Sequence, residues 1–250
     1  MLVFDFDGVL LDSVDEVTAV AYSLTSGHRT PYLADIPQFF KDHFALNRHH
    51  IQPAGDLVVL ARWCLQQERN TAPYHLSTEE FQALKAGSPD TTDQRRTQFF
   101  KERAEIVARH YHPWIALHRT YQPLWQTLAA GTRPPLILTN KNRVATREIA
   151  QYFKLPVGDE HLFTGDNGVS KTENFRQLMT RYPSKRYAFL EDSLHNLDEI
   201  RENLPDAPIE LCLVRWGYID PSDITQAQQS GYTVLNQEEA IALWNSPEHR

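Results

Sequence analysis

The chain has 250 residues, with 25 basic and 32 acidic side chains and a net charge of −7 when histidine is neutral. Hydrophobic residues make up 41% and charged residues 23%, the balance of a folded globular protein rather than a disordered one. No apolar run approaches the roughly 18 residues that span a bilayer, and the acidic balance excludes the basic face of a general nucleic-acid binder while leaving room for an anionic substrate in a locally positive pocket.

The first element is Leu2–Phe6, a short apolar run broken by Asp5 and suited to one buried strand. From about Ser13 to His118 such runs vanish. Helical candidates replace them at Val14–Ser26, Asp35–Leu46, Ala54–Glu68, Thr78–Lys85 and Asp90–Tyr111, separated by Pro31, Pro53, Pro73, Pro89 and Pro113. Eight of the eleven histidines lie in or beside this stretch, at His28, His43, His49, His50, His75, His110, His112 and His118.

Beyond it, strands are expected at Leu136–Thr139, Tyr187–Leu190, Leu211–Val214 and Tyr232–Leu235. Such runs carry no alternation because a parallel sheet buries both faces. Between them, Ile149, Tyr152 and Phe153 share a helical face, as do Phe175, Leu178, Met179 and Tyr182, and then Leu194, Leu197 and Leu204. Strand–helix alternation predicts an α/β core with a parallel sheet, interrupted by a helical insert. The core takes residues 1–13 and 119–250 and the insert residues 14–118. Cys64 and Cys212, far apart, read as buried reduced thiols. The start of the chain lacks the basic and apolar regions of a signal peptide, so a cytoplasmic location is expected.

Chemistry concentrates at strand ends. Asp5 and Asp7 are two carboxylates closing an apolar strand, an expensive placement unless something uses them. Ligands of open α/β sheets bind beyond the carboxyl ends of the strands, and Gly8 permits a sharp turn there. Two such carboxylates can hold magnesium and still divide nucleophilic and acid–base roles. Thr139 ends a later strand and Asn140 precedes a helix, so a hydroxyl and free backbone N–H groups can meet a phosphate. Ser170-Lys171-Thr172-Glu173 reads as a capping box that puts Lys171 in the first turn of a helix, where a bound anion would offset its unfavourable position. Asp192 follows another strand and suits either a magnesium ligand or a helix cap.

Asp5-Phe6-Asp7-Gly8-Val9 resembles the first motif of the haloacid dehalogenase-like hydrolase superfamily, and Leu10-Leu11-Asp12-Ser13 is similar to its phosphoglycolate phosphatase-like branch. Leu136-Ile137-Leu138-Thr139-Asn140-Lys141 is similar to the second motif, Lys171 stands at the third, and Phe189-Leu190-Glu191-Asp192-Ser193 resembles the fourth. Val214-Arg215-Trp216-Gly217-Tyr218 is also similar to a segment of the phosphatase branch. The resemblance covers Met1 to about Ser13 and about Tyr121 to Leu243.

It implies a Rossmann-like, three-layer parallel-sheet core with an inserted all-helical cap domain. It further implies a Mg2+-dependent phosphatase that hydrolyses a small phosphate monoester through an aspartyl-phosphate. By the resemblance, Asp5 is the nucleophile and Asp7 the acid and base. Magnesium rests on Asp5, the Asp7 backbone carbonyl and Asp192, while Thr139, Asn140 and Lys171 take the phosphate. Glu191 replaces a frequent glycine and Asn196 a frequent aspartate, which makes both candidates to modify the metal site.

The expected partner is a small phosphorylated metabolite, with no nucleic acid or membrane, bound by a monomer or homodimer. Alternatives are a sugar-phosphate mutase, a phosphonatase using Lys41 or Lys85 as a Schiff base, or an idle phospho-ligand-binding protein. Asp7 argues against a dehalogenase. His110, His112 and His118 fit no closed zinc spacing and are expected on a polar surface, Arg48 and Arg62 likewise, whereas Trp63, Trp114, Trp125, Trp216 and Trp244 are expected to pack.

Overall fold

Leu2, Val3 and Phe4 are apolar on both sides of the backbone, and they form β1 (Leu2–Phe4), buried throughout. The computed structural model describes residues 1–67 and 72–246. Two compact units result, Met1–Asp12 with Arg119–Arg250, and Ser13–His118. After β1 the first unit adds only the short strand β2 (Leu11–Asp12) before the chain enters the second.

The second unit is helical. Its first helix, α1 (Val14–Ser26), has the expected span and stops at Gly27, which takes a left-handed φ of 73°. The next, α2 (Gln38–Leu46), begins later than expected because Pro37 occupies its cap position and Leu33–Asp35 forms a separate 3-10 turn. The third, α3 (Asp56–Leu65), is shorter than the expected Ala54–Glu68, of which Glu68 lies outside the described residues. Reciprocal capping boxes start α4 (Thr78–Ala86) at Ser77 and α5 (Thr92–Ile115) at Thr91. Helix α5 outruns its expected end at Tyr111, but it is two pieces joined at a non-helical His110, three residues before Pro113. The proline ring clashes with the preceding turn, which accounts for the break.

One buried acid organises this bundle. Glu16 is fully buried and accepts hydrogen bonds from Arg103 Nε (2.7 Å), Arg103 Nη2 (2.8 Å) and Trp114 Nε1 (3.0 Å). His118 corrects the surface expectation: it is buried, with its ring edge-on to Trp114 at 5.0 Å. His112 is exposed as expected.

The α/β unit resumes at β3 (Arg119–Thr120), antiparallel to β2, and continues through α6 (Gln122–Ala130), β4 (Leu136–Thr139), α7 (Arg143–Tyr152) and β5 (Leu162–Thr164). Then come α8 (Lys171–Arg181), β6 (Tyr187–Glu191), α9 (Leu194–Asn203), β7 (Ile209–Val214), α10 (Pro221–Gln229), β8 (Thr233–Leu235) and α11 (Gln237–Asn245). The main sheet runs β5-β4-β1-β6-β7-β8, and every pairing in it is parallel. Strand β5 was not expected, since three residues are too short for a recognisable run.

Helices cover both faces. Val3 packs in one cluster with Phe175, Leu178 and Leu197 of α8 and α9, whereas the ring of Phe4 meets Trp244 of α11 at 5.8 Å. Neighbouring residues of a strand point to opposite faces, so these helices form the two outer layers of a Rossmann-like α/β sandwich. Within α7 the expected stripe is only partly right, because Ile149 is buried but Tyr152 is 48% exposed. Trp114, Trp125 and Trp244 are buried, while Trp63 and Trp216 are half-buried. Among the described residues no helix is long and apolar enough to cross a membrane.

Candidate active site

Phe4 pairs with Ile137 of β4 on one side and Leu190 of β6 on the other, so three strand ends lie together. One step further, the Asp5 N–H donates to Leu190 O at 2.9 Å and the Asp5 side chain is buried. Phe6 O then accepts from the N–H groups of Leu10 (3.0 Å) and Leu11 (2.9 Å), and Gly8 N–H donates to Leu11 O at 2.7 Å. This tight turn needs Gly8 twice over. Its φ is +87°, and a Cβ there would lie 1.9 Å from Asp192 Oδ2.

The loop after β7 closes on the same carboxylate. A Cβ on Gly217 would lie 2.4 Å from Asp192 Cβ and 2.5 Å from Gly8 O, so two glycine backbones approach Asp192 from different segments. Tyr218 N–H donates to Asp192 Oδ2 at 2.8 Å, Tyr218 hydroxyl to Asp12 Oδ1 at 3.0 Å, and Trp216 Nε1 to Val9 O at 3.0 Å. The Trp216-Gly217-Tyr218 segment therefore positions Asp192. Sequence reading placed it only by resemblance.

Buried charge dominates the electrostatics. Lys171 Nζ lies 3.1 Å from Asp5 Oδ1 and hydrogen-bonds Glu191 Oε2. Glu191 does not point away. Its other oxygen accepts the N–H groups of Asp192 and Ser193, each at 3.0 Å, at the start of α9. Burial raises the Asp5 carboxyl to about 7; Glu191 and Asp7 push the same way, against the pull of Lys171. Burial also raises Glu191 despite its lysine partner. For Lys171, burial works to lower the pKa, but Asp5 and Glu191 outweigh it and raise it.

Asp5, Glu191 and Asp192 each offer a carboxylate oxygen, and these oxygens lie within 4.8 Å of one another. Asp5 Oδ1 is buried and lacks an aligned hydrogen bond, although Lys171 stands at ion-pair distance from it. Three carboxylates that offer hard oxygen donors in one set fit a small divalent cation such as magnesium.

Thr139 is buried at the end of β4, where its hydroxyl accepts from Lys141 N–H at 3.1 Å. Asn140 does not directly precede a helix as expected. It is exposed at a bend, and α7 starts at Arg143 because Asn142 supplies the capping oxygen to Ala145 N–H at 2.8 Å. Lys141, part of the second-motif segment but without an expected role, is buried and sets its Nζ 3.1 Å from Asp7 Oδ1. Its position directly after Thr139 and Asn140 was the available signal.

Ser170 caps α8 by accepting Glu173 N–H at 3.2 Å, while the Glu173 carboxylate engages Arg176 (3.3 Å) and Gln177 (3.4 Å). Asn196 is half-buried in the first turn of α9 and, among the described residues, makes no direct hydrogen bond to the acidic cluster. In the helical unit, Lys85 pairs with buried Asp56 at 2.9 Å and Lys41 donates to Leu33 O at 3.1 Å, so each has a structural partner.

Among solved structures the chain is similar to a haloacid dehalogenase-like family hydrolase from Streptococcus pneumoniae, with 14% identity, a TM-score of 0.58 and coverage of 98% of this chain and 97% of that one. It is similar to a predicted phosphoglycolate phosphatase from Haemophilus somnus, at 16% identity, TM-score 0.58 and the same coverages of 98% and 97%. A predicted phosphatase from Clostridium acetobutylicum gives 15% identity and a TM-score of 0.55, covering 96% of this chain and 95% of that one. At such identities these likenesses concern the fold. A search of curated proteins gives no match. A sequence profile of haloacid dehalogenase-like hydrolases matches residues 1–202, a span that takes in the Asp5–Gly8 turn, Thr139, Lys171 and Asp192. The chain belongs to the haloacid dehalogenase-like hydrolase family.

Proposed function

We propose that the protein is a magnesium-dependent phosphatase acting on a small phosphate monoester. The observation that carries this reading is the pairing at the end of β1: Asp5 and Asp7, two residues apart, each stand 3.1 Å from a different buried lysine. Carboxylates supply the nucleophile and the proton carrier, and the ammonium groups supply charge that phosphoryl oxygens can use. The predicted phosphoglycolate phosphatase and phosphatase among the similar structures agree with this class.

In this mechanism a carboxylate oxygen of Asp5 forms a bond to phosphorus as the phosphorus–oxygen bond to the leaving group breaks. Asp7 gives its proton to the departing alkoxide. It then accepts a proton from the water that attacks the aspartyl-phosphate, which regenerates Asp5 and releases phosphate. Lys171, Thr139 and Asn140 bind the phosphoryl oxygens, and Glu191 holds Lys171 in place from behind. Lys141 orients Asp7. Magnesium would be held by Asp5, the Asp7 backbone carbonyl and Asp192, and would neutralise charge on the transferring group. Selection among leaving groups falls to the helical unit. Cys64 and Cys212, both buried and free, suit a reducing cytoplasm.

The test is release of inorganic phosphate from an aryl phosphate with and without magnesium, followed by a panel of sugar phosphates, phosphoglycolate and nucleotides. Asp5→Asn is expected to lower turnover at least about a thousandfold. Normal turnover by that variant would overturn the proposal.

A further inference from the structure

The phosphate side of the site depends on where one turn of backbone lies, and a loop outside the recognised motifs holds that turn. Thr139 at the end of β4 pairs with Thr164 at the end of β5, so the two strands stop side by side. After β4 the chain turns through Asn140 and Lys141 toward α7, and the chain leaving β5 lies against this turn. Gly165 N–H donates to Lys141 O at 3.3 Å. A Cβ on Gly165 would lie 2.5 Å from Asn140 O and 3.1 Å from Asn140 Cα, backbone atoms that cannot swing aside.

Asp166, half-buried, completes the contact. Its Oδ2 accepts the Arg143 N–H at 2.9 Å and the Thr164 hydroxyl at 2.6 Å. The first N–H groups of a helix lack partners within it. In α7 the Asn142 side chain takes that of Ala145, and Asp166 takes that of Arg143. One carboxylate oxygen therefore ties the start of α7 to the end of β5 and fixes both ends of the Asn140–Lys141 turn. The loop is anchored on its other side as well. Buried Asn174, one helical turn after Lys171 in α8, donates its Nδ2 to Thr164 O at 2.9 Å. The same strand end thus joins the Thr139–Lys141 turn to the helix that carries Lys171.

We propose that Asp166, seated by Gly165, is a positioning residue for phosphate binding: it sets the Thr139-Asn140 turn relative to Lys171 and acts through that turn. Its consequence for turnover rests on the phosphatase reading, whereas its consequence for phosphate affinity can be measured without turnover. A displacement of about 1 Å in groups that hold a reacting phosphate can cost about a hundredfold in rate. Both bonds to Asp166 end on one oxygen, so the amide oxygen of asparagine can accept them in its place and alanine cannot.

The experiment is calorimetry of inorganic phosphate binding to the full-length protein in excess Mg2+, beside steady-state hydrolysis of an aryl phosphate. Asp166→Ala should weaken phosphate binding at least about tenfold and lower kcat/KM about ten- to a hundredfold, and Asp166→Asn should recover most of both. Gly165→Ala deletes no hydrogen bond and presses on Asn140 directly. It should reproduce the loss, and it stands in for Asp166→Ala should circular dichroism show that variant unfolded. The response of the melting temperature to Mg2+ should be alike in wild type and variants, because the carboxylate cluster is untouched. Wild-type phosphate affinity in the folded Asp166→Ala protein, an asparagine variant as impaired as the alanine one, or a Mg2+ response lost in the variant alone would each overturn the proposal. A wild-type protein that binds no phosphate would overturn it too. Phosphate binding by wild type without hydrolysis of any ester would sink the phosphatase reading alone, and the affinity comparison would still decide the role of Asp166.

Discussion

Lys171 stands between two buried carboxylates, Asp5 and Glu191, and among the described residues of the α/β unit no other pairing concentrates so much charge away from water. Removing the lysine takes away the cation that pulls both carboxyl pKa values down, so Lys171→Met should make Asp5 and Glu191 take up protons and should destabilise the protein at neutral pH by up to ~3–5 kcal/mol, read from chemical denaturation. Stability equal to wild type would show that these carboxylates are already neutral.

The same burial sets a pH dependence whose sign is unusual for an aspartate. Asp5 titrates at about 7 in the folded chain against 3.8 ordinarily, so between those values the native state binds the extra proton. Its contribution to stability is present at low pH and is lost as pH rises through about 7. In chelator, therefore, Asp5→Asn should gain stability relative to wild type as pH rises from about 5 to about 8. A constant difference across that range would refute the assignment. Sequence reading reached Asp5, Asp7, Asp192 and Lys171 because each sits at a recognisable strand end or helix start. It left Glu191 between two roles and Lys141 without one, since the partner that defines each is remote in sequence: Lys171 is 20 positions from Glu191, and Asp7 is 134 from Lys141.

Secondary-structure elements show where local signals suffice. Helix α1 has its expected bounds because its apolar periodicity is clear and Gly27 stops it. Strand β4 likewise matches, being an apolar run of four that ends at Thr139. Where prolines compete with periodicity, boundaries move, as Pro37 delays α2 and Pro113 breaks α5. Strand β5 escaped notice because pairing with β4, not its own three residues, makes Leu162–Thr164 a strand. His118 was expected at the surface because histidine usually is, yet its packing against Trp114 buries it.

The helical bundle contains a polar knot that sequence cannot reveal, Glu16 with Arg103 and Trp114, joined across 87 and 98 positions. Glu16→Ala strands a buried guanidinium and should cost ~3–5 kcal/mol in denaturant unfolding. A loss below about 1 kcal/mol, the scale of an exposed pair, would show that Arg103 finds water or another acceptor.

For the molecule as a whole, a cation held by the acidic cluster would be linked to folding. An ion that binds the native acidic cluster and not the unfolded chain raises the unfolding temperature with its concentration. Magnesium should therefore raise the melting temperature progressively in wild type and have little effect on Asp192→Asn, by differential scanning fluorimetry. Equal shifts in both proteins would place the ion elsewhere.

Sequence alone determined the class of this protein: short unalternating apolar runs predict a parallel sheet, proline-punctuated periodic stretches predict the helical segment, and four motifs mark the family. These features are local, set by backbone period and residue type. Tertiary structure decided which charges meet. Parallel registry brings Asp5 beside Leu190 and hence beside Glu191 and Asp192, and the loop after β7 passes close enough to Asp192 that Gly8 and Gly217 must lack side chains. Those contacts arise from strand order and backbone approach. Neither is encoded in any single stretch of the chain, so the charged partnerships of the site became visible only in three dimensions.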